Sequence, residues 1–191
     1  MVTQTLSRQL SVEQYLKHEE TAEQRSEYHN GELVEMAGGS INHNRIIRNL
    51  SRLLETGLET PAYEVFVSDL RLWIPDYEEY TYPDVLLVKG NPILQDNRTD
   101  TVTNPSIIIE VLSKSTSNRD RGDKFTFYRS LPSLQEYILV DQYRIHIEHF
   151  RKNTEANWLL SESNDQNGVL SLADGKCKIS HHQIYERVIF E

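Results

Sequence analysis

Two apolar stretches decide the fold, and each carries an acid: Tyr82-Pro83-Asp84-Val85-Leu86-Leu87-Val88 and Ile107-Ile108-Ile109-Glu110-Val111-Leu112-Ser113. Unbroken apolar runs of this length are typical of strands that are covered on both faces of a sheet. A glutamate inside such a run is costly unless it is paired or bound to a metal. If the strands are antiparallel neighbours, the start of the first meets the end of the second. The pattern therefore predicts that Asp84 and Glu110 lie side by side.

A third candidate residue, Lys124, follows in a segment that predicts a helix. Thr116-Ser117-Asn118 offers helix caps, and Pro132 ends the segment. At about 100° per residue, Lys124 falls on the apolar side of this helix rather than on the solvent side. The residues of that stripe are Asp120, Lys124, Phe127, Tyr128 and Leu131. The alternative interpretation is an Asp120–Lys124 surface pair, four residues apart.

Two carboxylates and one ammonium form a chemically meaningful group. Such a group can hold Mg²⁺ and stabilise the transition state of phosphoryl transfer. Asp84, Glu110 and Lys124 therefore suggest a metal-dependent phosphodiesterase. A carboxylate-pair hydrolase such as a glycosidase is another class of function that two acids could serve. It is disfavoured because a core-facing lysine beside both acids suits phosphate better than a sugar.

A series of short motifs runs in a fixed order along residues 10 to 152. The motifs are Glu27-Tyr28-His29-Asn30-Gly31-Glu32-Leu33, Met36-Ala37-Gly38, His43, Pro83-Asp84, Glu110-Val111-Leu112-Ser113, Asp123-Lys124 and Glu136-Tyr137-Ile138-Leu139-Val140-Asp141. In order and spacing they resemble the Uma2 family of endonucleases, within the PD-(D/E)XK restriction-endonuclease-like superfamily. The resemblance implies an α/β (α+β) fold with a mixed, mostly antiparallel central sheet flanked by helices.

The resemblance also implies a role for each candidate residue. Asp84 and Glu110 would bind Mg²⁺, for which Mn²⁺ could substitute, with help from the Val111 carbonyl. Lys124 would orient or activate the attacking water and stabilise charge on the phosphate. In the usual superfamily pattern the lysine stands two residues after the second acid, where this chain has Leu112. That departure keeps open a second function, a nucleic-acid-binding module that has lost its chemistry.

The supporting candidates for the site are Glu32, His43 and Ser113. Glu32 or Glu35, after a hairpin turn, could supply a third carboxylate to a metal, although either is more often a solvated strand residue. His43 opens a helix and could bond the site or simply cap and pack. Ser113 could orient Glu110 or a water molecule, yet a serine at a strand end is ordinarily a turn former.

The rest of the chain reads as one mixed domain over residues 1–191, with a core of about 10–152 and a C-terminal strand extension over 153–191. Asn30-Gly31 is a strong hairpin signal. Helices are expected over 11–19 and 42–58. Strands are expected over 63–67, 70–74, 136–140, 145–150 and 158–160, with weaker signals over 169–172 and at 179.

Composition sets the outer limits of function. The chain has 191 residues, a net charge of −9 and one cysteine, Cys177, which rules out a disulfide framework and favours a reducing cytoplasm. No apolar run approaches the length of a membrane span. The net charge argues mildly against a nucleic-acid partner, but residues 113–129 are locally basic within the acidic chain. The resemblance implies a nucleic-acid partner, and we expect DNA. A homodimer is also expected, because cutting two strands benefits from two sites related by a two-fold axis.

Overall fold

The computed structural model describes residues 9–36, 38–58, 62–96 and 98–190 of the chain. None of the helices in these ranges combines the length and apolar character that are needed to cross a membrane. The elements are, in chain order, α1 (Val12–Glu19), β1 (Ser26–His29), β2 (Glu32–Glu35), α2 (Ile41–Gly57), β3 (Tyr63–Val67), β4 (Arg71–Ile74), a 3₁₀ turn (Pro75–Tyr77), β5 (Glu79–Thr81), β6 (Val85–Lys89), β7 (Thr101–Val102), β8 (Ile107–Leu112), α3 (Ser117–Arg119), a π turn (Asp120–Lys124), α4 (Phe125–Tyr128), β9 (Glu136–Asp141), β10 (Ile147–Lys152), β11 (Trp158–Ser163), β12 (Val169–Leu172), β13 (Cys177–Ser180) and α5 (His181–Ile184).

A six-stranded sheet forms the centre of the fold and contains both apolar stretches. Its spatial order is β11-β10-β9-β8-β6-β3. The β8–β9 pair is parallel, and all other neighbours in this sheet are antiparallel. The predicted fold class, a mixed and mostly antiparallel sheet with helices against it, is confirmed.

The central strand β8 has a different environment on each face. Ile107, Ile109 and Val111 belong to the apolar cluster that contains the buried side of α2. Ile108 and Leu112 belong to the cluster on the opposite face of the sheet. Because successive side chains of a strand point to opposite faces, Glu110 must share the face of Ile108 and Leu112. The alternation of the sequence therefore decides on which side of the sheet the acid lies.

Helix α2 covers the other face of the sheet. The Ser40 hydroxyl accepts a hydrogen bond from the His43 N–H, which caps the helix at its start. Ile46, Leu50 and Leu54 follow at helical spacing and are fully buried. Side chains of the β12–β13 hairpin and of α5 pack into the same cluster, so residues from the C-terminal part complete the core around α2.

The structure has a second sheet, with the order β2-β1-β5-β4-β7. The sequence patterns do not predict it as a separate sheet. Its β1–β2 hairpin turns at Asn30 and Gly31, whose φ angles of 42° and 98° are those of the turn that Asn-Gly favours. The turn sets Glu27 opposite Val34. Local patterns predict single strands, whereas the choice of partner strand depends on contacts that are distant in the sequence.

The segment 117–128 was expected to be a regular helix, and this expectation needs a correction. It is helical throughout, but α3 and α4 are joined by the π turn of Asp120–Lys124. The Tyr137 hydroxyl donates a hydrogen bond of 2.9 Å to the Asp120 carbonyl inside this turn. A side chain that bonds to a helix carbonyl is one recognised cause of local departure from α geometry.

We expect the α2-facing side of β8 to be a main source of stability. Ile109 is fully buried, so Ile109→Ala should lower the free energy of unfolding by roughly 2–5 kcal/mol, from lost apolar burial and a residual cavity. Urea unfolding with an unchanged m-value measures this loss. Leu159→Ala, at a position that is 57% exposed on β11, is the control and should change the free energy by less than about 0.5 kcal/mol. Equal losses in both variants would contradict the assignment of the core.

Candidate active site

The two strand acids meet where β6 and β8 join. Asp84 comes directly before β6, and the register of the two strands sets Val85 opposite Ile109. The Asp84 N–H donates to Glu110 Oε2 over 3.3 Å, and the Val111 N–H donates to Asp84 Oδ2 over 2.7 Å. These reciprocal bonds fix both acids to the backbone of the other strand. The structure thus brings Asp84 and Glu110 together, as the strand pairing predicts.

Lys124 lies among three carboxylates. Its Nζ is 3.0 Å from Glu110 Oε1, 3.1 Å from Glu27 Oε1 and 3.6 Å from Asp120 Oδ1. Burial alone would lower the pKa of Lys124, but Glu110 and the other anionic neighbours raise it well above its usual value. The side chain is therefore a permanent, buried cation. The alternative of a solvent-exposed Asp120–Lys124 pair is wrong, because both residues are buried.

Glu110 is the most strongly perturbed acid of the site. Besides Lys124, it accepts a hydrogen bond of 2.8 Å from the Tyr128 hydroxyl at Oε1. Burial, together with the charge of nearby Asp84, raises the pKa of Glu110 to about 8 against the lowering effect of Lys124. A carboxyl group in this condition is poised between its neutral and charged forms near neutral pH.

Two more acids complete the group. Glu27, on β1, also contacts Arg119, whose Nη1 lies 3.4 Å from Glu27 Oε2. Burial would raise the pKa of Glu27, but Lys124, Arg119 and His29 lower it below its usual value. Asp120 is only 2% exposed, and burial raises its pKa despite the proximity of Lys124. Its Oδ1 atom accepts no hydrogen bond.

His43 approaches the acids from the start of α2. Its Nε2 atom is 3.2 Å from Asp84 Oδ2. Burial lowers the pKa of His43, but the hydrogen bond to Asp84 and its charge more than compensate, so the net shift is upward. The structure therefore places His43 against a strand acid, which fits the first of the two roles considered for it.

A cleft of about 670 Å³ opens onto these side chains. These charged groups are therefore buried and yet line an open cleft. Residues of the wall include Glu27, His43, Asp84, Glu110, Asp120 and Lys124. Lys114 and Arg119 also line the cleft, so its acidic floor has basic residues beside it.

The remaining sequence candidates differ in where they lie. Val111 lines the cleft, and its N–H points toward Asp84, so its carbonyl lies on the same side of β8. Ser113 also lines the cleft, but its hydroxyl bonds to Ser115 and Thr116 and acts as a turn former rather than a partner of Glu110.

The expectation that Glu32 reaches the site needs a correction. Glu32 is exposed and pairs with His29 at the turn end of the hairpin, away from the cleft. Glu35 lies at the opposite end of β2, across from Ser26, and does line the cleft. The carboxylate that β1 and β2 place beside Lys124 is Glu27.

Sequence reasoning missed Glu27 and Asp120 as site residues. The hairpin signal at Asn30-Gly31 fixes which residues of β1 and β2 face each other, but the contact of Glu27 with Lys124 depends on how the hairpin docks against the helical segment. The helical pattern places Asp120 on the apolar stripe with Lys124 and Tyr128, and this position alone predicts that its carboxylate is buried. An acid on an apolar stripe is itself a signal, since isolated buried acids are costly.

One other group of potential metal ligands occurs among the described residues. His146 Nε2 lies 3.3 Å from Glu148 Oε1 and 3.6 Å from Glu162 Oε1. Arg121 Nη2 is 2.7 Å from the same Glu148 oxygen. Because this guanidinium already pairs with Glu148, the group is accounted for as an ion-pair network.

Comparison with known proteins adds a family and a fold. Residues 12–176 match the model of a family described as "Uma2: Putative restriction endonuclease". Two proteins of Synechocystis sp. (strain ATCC 27184 / PCC 6803 / Kazusa) are similar. "Uncharacterized protein sll1609" is 46% identical over 164 residues, 86% of this chain and 93% of that protein. "Uncharacterized protein slr1290" is 40% identical over 152 residues, 79% of this chain and 78% of that protein.

A solved structure shares the fold at low sequence identity. It is described as "Crystal structure of a putative nuclease belonging to DUF820 from Anabaena variabilis ATCC 29413". The TM-score is 0.78 at 14% identity, over 94% of this chain and 99% of that chain. At this identity the likeness shows a common fold.

The raised pKa of Glu110 predicts a pH dependence of stability. Because the pKa is about 8 in the folded protein and 4.5 ordinarily, the folded state binds more protons between these values. The free energy of unfolding should therefore fall as pH rises through this range, by at most about 1.4 kcal/mol per pH unit from this group. Glu110→Gln should flatten the fall and be the more stable protein at the upper end. Urea unfolding in EDTA measures both.

Glu64→Gln, at an exposed position on β3, is the matched control for this experiment. It should keep the pH dependence of the wild-type protein. If Glu110→Gln also keeps that dependence, Glu110 is ionised throughout the range and the burial argument is wrong.

Proposed function

Because the chain belongs to the Uma2 family, we propose that it is a Mg²⁺-dependent endonuclease that hydrolyses phosphodiester bonds of DNA. The family match supports a nuclease-like function. The observation that carries the finer proposal is the meeting of Asp84 and Glu110 at paired strand ends, with the Lys124 ammonium 3.0 Å from Glu110. All three side chains line the same cleft of about 670 Å³.

The donor atoms fit a magnesium ion. Mg²⁺ prefers carboxylate and carbonyl oxygens and commonly uses one or two protein carboxylates together with water. Asp84 and Glu110 supply such oxygens, and the Val111 carbonyl lies on the same side of β8. Three carboxylates lie around Lys124, and Asp84 is a fourth. Only two fixed cations, Lys124 and Arg119, stand against them. This surplus of negative charge favours a bound cation.

Each protein group then has a defined task. Asp84 and Glu110 would hold the ion, which would supply Lewis-acid chemistry for phosphodiester hydrolysis. Lys124 orients the attacking water and stabilises the charge that develops on the phosphate. His43 holds Asp84 in place through its Nε2 atom. Tyr128 and the Asp84 N–H each donate to one oxygen of Glu110, which fixes the orientation of that carboxylate.

A nucleic-acid substrate is supported by the cations of the cleft. Lys114 and Arg119 line it beside the acids, where they could contact phosphate groups. Because the net charge of the chain is −9, binding of nucleic acid would depend on the basic residues that line the cleft. A two-fold dimer would present two such sites to a duplex, and sedimentation equilibrium tests that part of the proposal.

A second candidate function is a nucleic-acid-binding module without chemistry. Leu112 stands in the usual position of the lysine and is buried in the core, so no residue there can assist catalysis. Lys124 reaches Glu110 from the helical segment instead, which favours the enzyme. A protein that binds DNA but has no affinity for Mg²⁺ would establish the binding module.

Lys124→Met tests the catalytic role directly. Methionine suits an apolar stripe, but the variant leaves three carboxylates without their ammonium, so it should fold with a lower free energy of unfolding, which thermal melts check. In the folded variant, metal-dependent DNA cleavage should fall about 100-fold or more through loss of an electrostatic stabiliser. The measurement is the rate of plasmid and single-stranded DNA cleavage in Mg²⁺ and in EDTA. Lys89→Met, at an exposed strand end, is the matched control and should cleave normally. Unchanged cleavage by Lys124→Met would remove Lys124 from the mechanism.

Binding of the metal can be measured without a substrate. Mg²⁺ at about 100 times its dissociation constant should stabilise the folded protein by about 2.7 kcal/mol and raise its melting temperature by several degrees. Asp84→Asn should abolish the rise, whereas Asp76→Asn, at an exposed position, should keep it. An equal rise in wild-type protein and in Asp84→Asn would place the ion elsewhere.

A further inference from the structure

Asp120 has a buried oxygen that no donor uses. Its side chain is almost fully enclosed, it lines the cleft, and Oδ1 accepts no hydrogen bond. A buried acceptor without a donor costs roughly 1–3 kcal/mol, and more when it is charged. The nearest cation is the Lys124 ammonium, at 3.6 Å, which is beyond a charged hydrogen bond. Asp120 Oδ1 is therefore an unused hydrogen-bond acceptor beside Lys124.

Lys124 and a divalent cation need the same carboxylate. The Lys124 ammonium bonds to Glu110 Oε1, and Glu110 is one of the two acids proposed to hold the metal. A cation on Glu110 withdraws negative charge from that contact and repels the nearby ammonium. The Lys124 ammonium must then donate to another acceptor, or it stays buried without its hydrogen bond to Glu110.

Among the neighbours of Lys124, Asp120 is the one with acceptor capacity to spare. Glu27 already accepts from Lys124 through Oε1, and its Oε2 faces Arg119 and His29. Asp120 Oδ1 needs an approach of only about 0.8 Å by the ammonium to form a charged hydrogen bond of ordinary length. The π turn that carries both residues is tied down at the Asp120 carbonyl by Tyr137.

We propose that Asp120 is a positioning residue that receives the Lys124 ammonium when a divalent cation binds Glu110. The inference rests on the proposed metal site and adds a function for a residue outside the Asp84–Glu110–Lys124 set. Asp120 keeps Lys124 charged and directed into the cleft in the metal-bound state. It thereby lowers the competition between lysine and metal for one carboxylate.

A double-mutant cycle on metal affinity tests this proposal. Mn²⁺ binding is measured by calorimetry and by electron paramagnetic resonance for the wild type, Asp120→Asn, Lys124→Met and the double variant. Asp120→Asn should weaken Mn²⁺ binding about tenfold more when residue 124 is lysine than when it is methionine. A tenfold difference in affinity corresponds to the free energy of about one charged hydrogen bond. Asp123→Asn, an exposed acid on the same turn, is the matched control and should bind Mn²⁺ like the wild type.

Each other outcome has a distinct meaning. Equal weakening in both backgrounds would overturn the proposal, because Asp120 would then act on the metal directly. An unchanged affinity of Asp120→Asn would also overturn it. If the wild type itself binds no Mn²⁺, the metal site falls and this inference falls with it. If the wild type binds Mn²⁺ and the cycle shows no coupling, only the inference fails.

A second measurement follows the lysine itself. Nuclear magnetic resonance of the Lys124 side-chain NH₃⁺ group, assigned with Lys124→Met, should show a signal that shifts on addition of Mg²⁺. The shift should be much smaller in Asp120→Asn, provided that thermal melts in EDTA show the variant to be folded. An identical shift in both proteins would show that the ammonium does not move to Asp120.

Discussion

The burial of one ammonium, that of Lys124, among Glu27, Glu110 and Asp120 is the constraint on which the rest of the structure depends. A buried charge is tolerated only where its partners are held in place, because its desolvation is expensive. The three carboxylates come from β1, from β8 and from the π turn. The ion pairs therefore join the small sheet, the central sheet and the helical segment at one point. Any change in the relative position of these elements would leave charges buried and unpaired.

The same arrangement leaves the cluster electrostatically incomplete. Its acids outnumber its fixed cations, and the pKa values of Glu110 and Asp120 are raised because a proton relieves part of the repulsion. Under the proposed function, such a cluster trades stability of the metal-free protein for readiness to bind a cation. The core on the α2 side of the sheet has no such conflict. Stability and function are thus assigned to opposite faces of the same strand.

Much of the fold and part of the site were predictable from residue patterns. The apolar runs of β6 and β8 revealed two buried strands, and their antiparallel pairing placed Asp84 beside Glu110. The apolar stripe correctly turned Lys124 inward. The direction of each side chain follows from strand and helix periodicity alone. The pairing of β6 with β8 is a separate assumption, which the register of the two strands confirms.

The failures have a different physical origin. Glu32 and Glu27 lie on the same hairpin, and the choice between them depends on how that hairpin docks on another sheet. Such a contact links residues 27 and 124, which are far apart in the chain. The π turn was also missed, because its cause is a bond from Tyr137, a residue outside the helical segment. Local pattern cannot report a geometry that a distant residue imposes.

The π turn lets the spacing of Asp120 and Lys124 change on an evolutionary timescale without a change in the flanking helices. Such a turn holds one residue more than the α-helix on either side would need. Loss of a single codon, for example that of the exposed Gly122, would let the segment relax to an ordinary helix. Lys124 would then follow Asp120 by three residues instead of four, which is still a spacing of side chains on one face of an ordinary helix. Residues beyond the deletion would keep about their present orientation, because the deletion removes the residue that the turn accommodates. One lost codon would thus change the spacing of the Asp120–Lys124 pair while the flanking helices keep their packing.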